Sequence, residues 1–147
     1  MIQRKQTLFL LIVAIVAIIN LFIPFIGFTR SNESFTLNLS EGIRLTSIKS
    51  NIFYPFTLTI LSISLSVITI FLYKNRVLQY KLANVLVLLA VFTTGLFFLL
   101  DFVNIDHTDL YFTFGSFLPI VSAIFAYLAA YFIKKDEQLV RSADRIR

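Results

Sequence analysis

Asp106, His107 and Asp109, with Asp101 and Asn104 close by, form the densest grouping of chemistry-bearing side chains in the sequence. Carboxylates and imidazole together are metal ligands, and His107 is the chain's single histidine. Their spacing matches no established metal motif, and a short acidic connection is where solvated acids belong. No metal and no cofactor is therefore expected. A second polar set sits within apolar sequence. Asn20 interrupts one apolar run, while Thr59, Ser62, Ser66 and Thr69 recur in another at the i+3 and i+4 spacing of one helical face. An amide is costly in lipid, so Asn20 is expected to face the other helices and hydrogen-bond across to them, with Ser62 and Ser66 as candidate interhelical polar partners. Read as chemistry instead of packing, Asn20, Thr59, Ser62 and Ser66 would line a site for a small hydrophobic or lipidic solute.

Absent residues narrow the chemistry further. The chain has no cysteine, which excludes four-helix disulfide oxidases and epoxide-reductase-like enzymes that work through reactive thiols. It contains no HExxH, GxSxG or GxxxxGK[ST] pattern. No charge lies within the apolar runs, which argues against a proton-coupled exporter built around a membrane carboxylate. Lipid phosphatases and phosphotransferases need acid, His and Arg groups clustered at one membrane edge, and here most acids and most bases fall on opposite sides. Enzyme activity is not expected.

The elements that must position these residues are set by hydropathy. Of 147 residues, 58% are hydrophobic and 14% charged, and mean hydropathy is +0.85. Soluble domains carry about a quarter charged residues. The apolar residues fall into four blocks, about 7–28, 52–73, 82–100 and 114–133, and none holds Asp, Glu, Lys, Arg or His. Each approaches the roughly 20 residues a helix needs to cross a bilayer. A soluble four-helix core would retain a polar face, and none remains here. The expected fold is an all-α membrane protein, a single four-helix transmembrane bundle. The first block is too long for a signal-peptide core and lacks a small-x-small cleavage site, so it is expected to be retained.

Charge orients the spans. Arg4, Lys5, Lys74, Arg76, Lys81, Lys134, Lys135, Arg141, Arg145 and Arg147 account for ten of the 13 basic residues and would share one side. The positive-inside rule then puts both termini and the second connection on the cytoplasmic side. The net charge of +5 is explained by topology and calls for no nucleic-acid partner.

The first outer connection alternates, with Phe35, Leu37 and Leu39 apolar against Thr36, Asn38 and Ser40, and resumes with Ile43 and Leu45 after Glu41-Gly42. Period-two alternation about a turn dipeptide predicts a short β-hairpin there. Pro24 and Pro119 are expected to kink or cap their helices. Ser122, Ala126 and Ala130 form a small-residue ridge that lets a helix approach closely. Tyr54, Tyr73, Tyr80, Tyr111 and Tyr131 fall at the expected headgroup levels. Several of the 17 phenylalanines, including Phe97, Phe98, Phe112, Phe114 and Phe117, gather near the outer ends of the third and fourth blocks. Residues 134–147 continue helically as a cytoplasmic amphipathic tail. Glu137 to Arg141 and Arg141 to Asp144 have i,i+4 and i,i+3 spacing, and Leu139, Ala143 and Ile146 form one apolar stripe for a membrane surface or a partner.

Three segments carry a family likeness: the start Met1-Ile2-Gln3-Arg4-Lys5-Gln6-Thr7-Leu8, the loop Lys74-Asn75-Arg76-Val77-Leu78-Gln79, and the close from Ile133-Lys134-Lys135-Asp136-Glu137 to Arg147. Together they resemble a family of small bacterial four-span membrane proteins known only as a domain of unknown function. The resemblance spans the whole chain and implies an inner-membrane location, with no activity or catalytic residue to transfer. It directs attention to the cytoplasmic face, where Arg4, Arg76, Gln79, Asp136, Glu137, Arg141, Asp144 and Arg145 are candidate partner-binding residues. A basic ring alone would serve anionic lipid, whereas the added acids favour specific polar contacts. Membrane lipids and other inner-membrane proteins are the expected partners, with the chain an accessory or scaffold subunit.

Overall fold

Pro24 decides where the first helix stops. A proline supplies no amide hydrogen and blocks the turn before it, so α1 (Lys5–Phe22) ends ahead of it instead of running on to Phe28. Ile26 and Thr29 are β-branched and favour extended chain, and β1 (Ile26–Arg30) follows directly. The computed structural model describes residues 5–30, 33–37, 39, 53–103 and 109–144. After β1 come β2 (Glu33–Leu37), α2 (Phe53–Phe71), α3 (Arg76–Val103), β3 (Asp109–Phe112), a 3-10 turn (Phe114–Phe117) and α4 (Leu118–Asp144).

The fold is therefore helical with a small sheet at one end, and two sequence expectations need correcting. The alternating segment does form a strand, but β2 pairs backward with β1, from Ile26 opposite Leu37 to Arg30 opposite Glu33. The expected partner strand beyond Glu41-Gly42 lies outside the described residues. Antiparallel pairing of β1 with β3, Ile26 opposite Phe112 and Thr29 opposite Asp109, completes a sheet of order β2-β1-β3. This partner comes from the third connection, which had been expected to be an acidic loop. Pairing across so long a separation leaves no local signal in either segment.

Among the described residues, four helices are long and apolar enough to cross a membrane. At 1.5 Å per residue, the 18 residues of α1 rise about 27 Å, close to the roughly 30 Å of hydrocarbon in a bilayer. Around the bundle α4 packs on α1 and α3, and α2 packs on the same two helices. The middle layer is apolar: Leu10, Val13, Leu86, Ala126 and Ala129 are buried together. Nearer the tail, Ala83, Ala130 and Ile133 form a second cluster. Ser122, Ala126 and Ala130 thus face inward, so the small-residue ridge serves the bundle's own close packing and offers no lipid-facing surface to a partner. The outward faces carry Leu11, Ile15, Ile18, Leu88, Phe92 and Ile124.

At the sheet end the backbone of the Pro24 segment meets the 3-10 turn. Gly115 N donates to Pro24 O at 3.2 Å, and the Ser116 hydroxyl donates to Phe25 O. A Cβ on Gly115 would lie 2.9 Å from the carbonyl carbon of Pro24, so only glycine permits this approach. Phe25 stacks on Phe97 at 4.9 Å, and Phe98 meets Phe112 at 5.1 Å. Pro119 sits in the first turn of α4, where the missing amide hydrogen costs nothing.

Candidate functional site

The buried polar residues divide between the two halves of the bundle. In the sheet half, a cleft of about 20 Å³ is lined from all four helices, by Ala17 and Asn20, Thr59 and Ser62, Ala90 and Thr93, and Pro119 and Ser122. Asn20 is 2% exposed, and its Oδ1 accepts no hydrogen bond from the protein. Leaving a buried amide oxygen unmatched costs about 1–3 kcal/mol.

The neighbouring hydroxyls do not relieve it, because they bond to their own helices. Thr59 donates to Pro55 O at 2.8 Å, Ser62 to Leu58 O at 2.9 Å, and Thr93 to Leu89 O at 2.7 Å. Each bond reaches one turn back, the ordinary resort of a hydroxyl within a helix. Asn20 therefore faces the bundle but does not make the expected bond to Ser62. The interhelical bond is instead made by Ser66, which is fully buried and donates to Leu10 O at 2.7 Å. This joins α2 to α1 beside the apolar middle layer.

The tail end is built from side chains that close helix termini. Asn75 Oδ1 accepts from Leu78 N at 3.1 Å, an N-cap that explains why α3 begins at Arg76. Gln79 donates through Nε2 to Thr69 O at 3.1 Å, satisfying a carbonyl in the last turn of α2. Arg76 Nη1 donates to Asp136 O at 3.0 Å and so braces α4 against the start of α3. Lys5 Nζ lies 5.8 Å from the Phe132 ring centre, within cation–π range.

Among the residues nominated from sequence, Arg76 and Asp136 meet through that brace, Asp136 by its carbonyl. Glu137 is half-buried one residue further on. Gln79 is fully buried. It holds two helices together and offers no surface to a partner, which corrects its nomination. Arg141 and Asp144 belong to α4, while Arg4, Arg145, Asp106 and His107 lie outside the described residues. Asp109 opens β3. Beyond the brace, Leu139 and Val140 are exposed on α4, at 61% and 43%.

Sequence reasoning passed over Gln6. It is 1% exposed, and neither amide atom has a protein partner. Its signal was present: Gln6, Leu10, Val13, Ala17 and Asn20 are buried on one face of α1 at alternating i+4 and i+3 spacing. Starting the first apolar block at residue 7 leaves out the first member of that stripe. Thr93 continues the Leu86–Ala90 stripe of α3 in the same way.

No curated protein and no solved structure matches the chain. Residues 2–146 match the family model described as domain of unknown function DUF4293. That match covers nearly all of the sequence, including the capped loop at Asn75–Gln79 and the braced exit of α4, and the chain belongs to this family.

Proposed function

We propose that the chain is a non-enzymatic multi-pass protein of the bacterial inner membrane, with both termini cytoplasmic, that serves as an accessory or scaffold subunit of a larger membrane assembly. The observation that carries this reading is the end of α4. Arg76 holds the helix at Asp136, and the helix then continues to Asp144 with Leu139 and Val140 exposed beside Lys134, Lys135 and Gln138. An apolar pair on a braced, charged helix is suited to another protein's surface. The basic residues at this end support a cytoplasmic placement. A lipidic solute in the bundle is the weaker reading, since a cleft of about 20 Å³ is far below the roughly 300 Å³ at which ligand pockets begin.

The test is co-purification in mild detergent. Full-length protein should carry a defined partner. Leu139→Asp with Val140→Asp should lose it, as should removal of residues 138–147, which spares the Asp136 carbonyl. Retention by both variants would refute the tail as the binding element.

A further inference from the structure

The groups around the Asn20 cleft are mismatched to one another, and the mismatch defines a guest. Asn20 Oδ1 needs a donor. The hydroxyl hydrogens of Thr59, Ser62 and Thr93 already go to Pro55 O, Leu58 O and Leu89 O, so these oxygens can only accept. Ser122 is buried and lines the same cleft, so its hydroxyl is a further polar group there. The guest must therefore donate to Asn20 Oδ1, and a second donor on it can meet one of the hydroxyl oxygens. It must also be small, because the cleft measures about 20 Å³. On this measure a single water needs about 10–15 Å³ and two to four polar partners.

We propose that the cleft is a water site, in which one resident water donates to Asn20 Oδ1 and to a threonine or serine hydroxyl oxygen and accepts from Ser122. Ammonium and a monovalent metal ion would also satisfy an oxygen-rich wall. The ten lining residues contain no carboxylate, however, and burying an uncompensated cation there is far costlier than burying a neutral molecule. The proposed water sits in the sheet half. Leu10, Val13, Leu86, Ala126 and Ala129 close the bundle beneath it, so it is a bound molecule in a pocket and no part of a path across the protein.

Water-edited solid-state NMR of the full chain in lipid bilayers tests this. Magnetisation from water should reach the Asn20 side-chain amide and the Thr59 and Ser62 side chains, while Val13 and Leu86 stay dark. Asn20→Leu should reduce transfer at Thr59 to the level of Val13. Ser122→Ala, which deletes one hydroxyl and little packing surface, should weaken it in the same direction. Absence of transfer at Asn20 and Thr59 in folded wild-type protein would overturn the proposal, as would undiminished transfer at Thr59 in both variants. Chemical shifts at Asn20 that titrate with ammonium or sodium chloride would overturn water as the guest and assign a cation instead.

Discussion

The two ends of this bundle are closed by different kinds of group. At the sheet end the chain is tied mainly by its own backbone, with Gly115 N reaching the Pro24 carbonyl and β1 held between β2 and β3; one side chain, the Ser116 hydroxyl, adds a bond to Phe25 O. At the tail end side chains do the closing: Asn75 caps α3, Gln79 satisfies α2, and Arg76 braces α4. A backbone tie tolerates most substitutions around it and depends on the one residue whose missing side chain allows the approach. A side-chain closure divides its strength among several residues, so each alone contributes less. The tail end is also where α4 continues past the Asp136 brace and exposes the apolar surface of Leu139 and Val140, the surface proposed to hold a partner.

Four substitutions would break or sharpen this contrast. The largest effect is expected from Gly115→Ala, because the new Cβ meets the Pro24 carbonyl group and backbone must move. Overpacking of this kind should lower stability by about 2–3 kcal/mol, read from thermal unfolding in detergent. Arg76→Ala should cost about 1 kcal/mol, the value of a partly exposed charge-assisted bond. It should also increase hydrogen exchange along α4 beyond Asp136, with the sheet end unchanged. Ser66→Ala removes the buried bond to Leu10 O and should cost about 0.6 kcal/mol, the average for interhelical bonds in a membrane. The smallest effect belongs to Gln79→Leu. It loses the bond to Thr69 O but also removes a buried Oε1 that has no partner, so the net change should fall within about 0.5 kcal/mol of zero. A Gln79→Leu loss as large as that of Gly115→Ala would erase the distinction between the two ends.

The same contrast explains what could be read before the structure. Helix positions were legible because apolar runs free of charge admit only spanning or fully buried helices. Asn20, Ser62 and Ser66 were legible as inward-facing because polar atoms in such runs must turn from lipid. Arg76 stood out by charge, and Gln79 was found for the wrong reason, since an amide looks exposed by type while its position is buried. The sheet was largely illegible. Phe25, Ile26 and Phe28 read as the continuation of a span, and only Pro24 marked the break. Gly115 gave no warning, because a glycine beside an apolar run does not announce which distant carbonyl it will approach. Nor does a helical face reveal whether its hydroxyls bond across to a neighbour or back to their own turn. Ser66 does the first and Ser62 the second at equivalent spacing.

The proposed hold of the exposed end of α4 on another membrane protein is measured most directly by chemical cross-linking in native membranes followed by mass spectrometry. Lys134 and Lys135 are exposed immediately before the Asp136 brace. The account predicts one recurrent partner joined to them, present with the full chain and lost when Leu139 and Val140 are both changed to aspartate. A chain that emerges as a clean monomer, with no recurrent protein at either lysine, would contradict it.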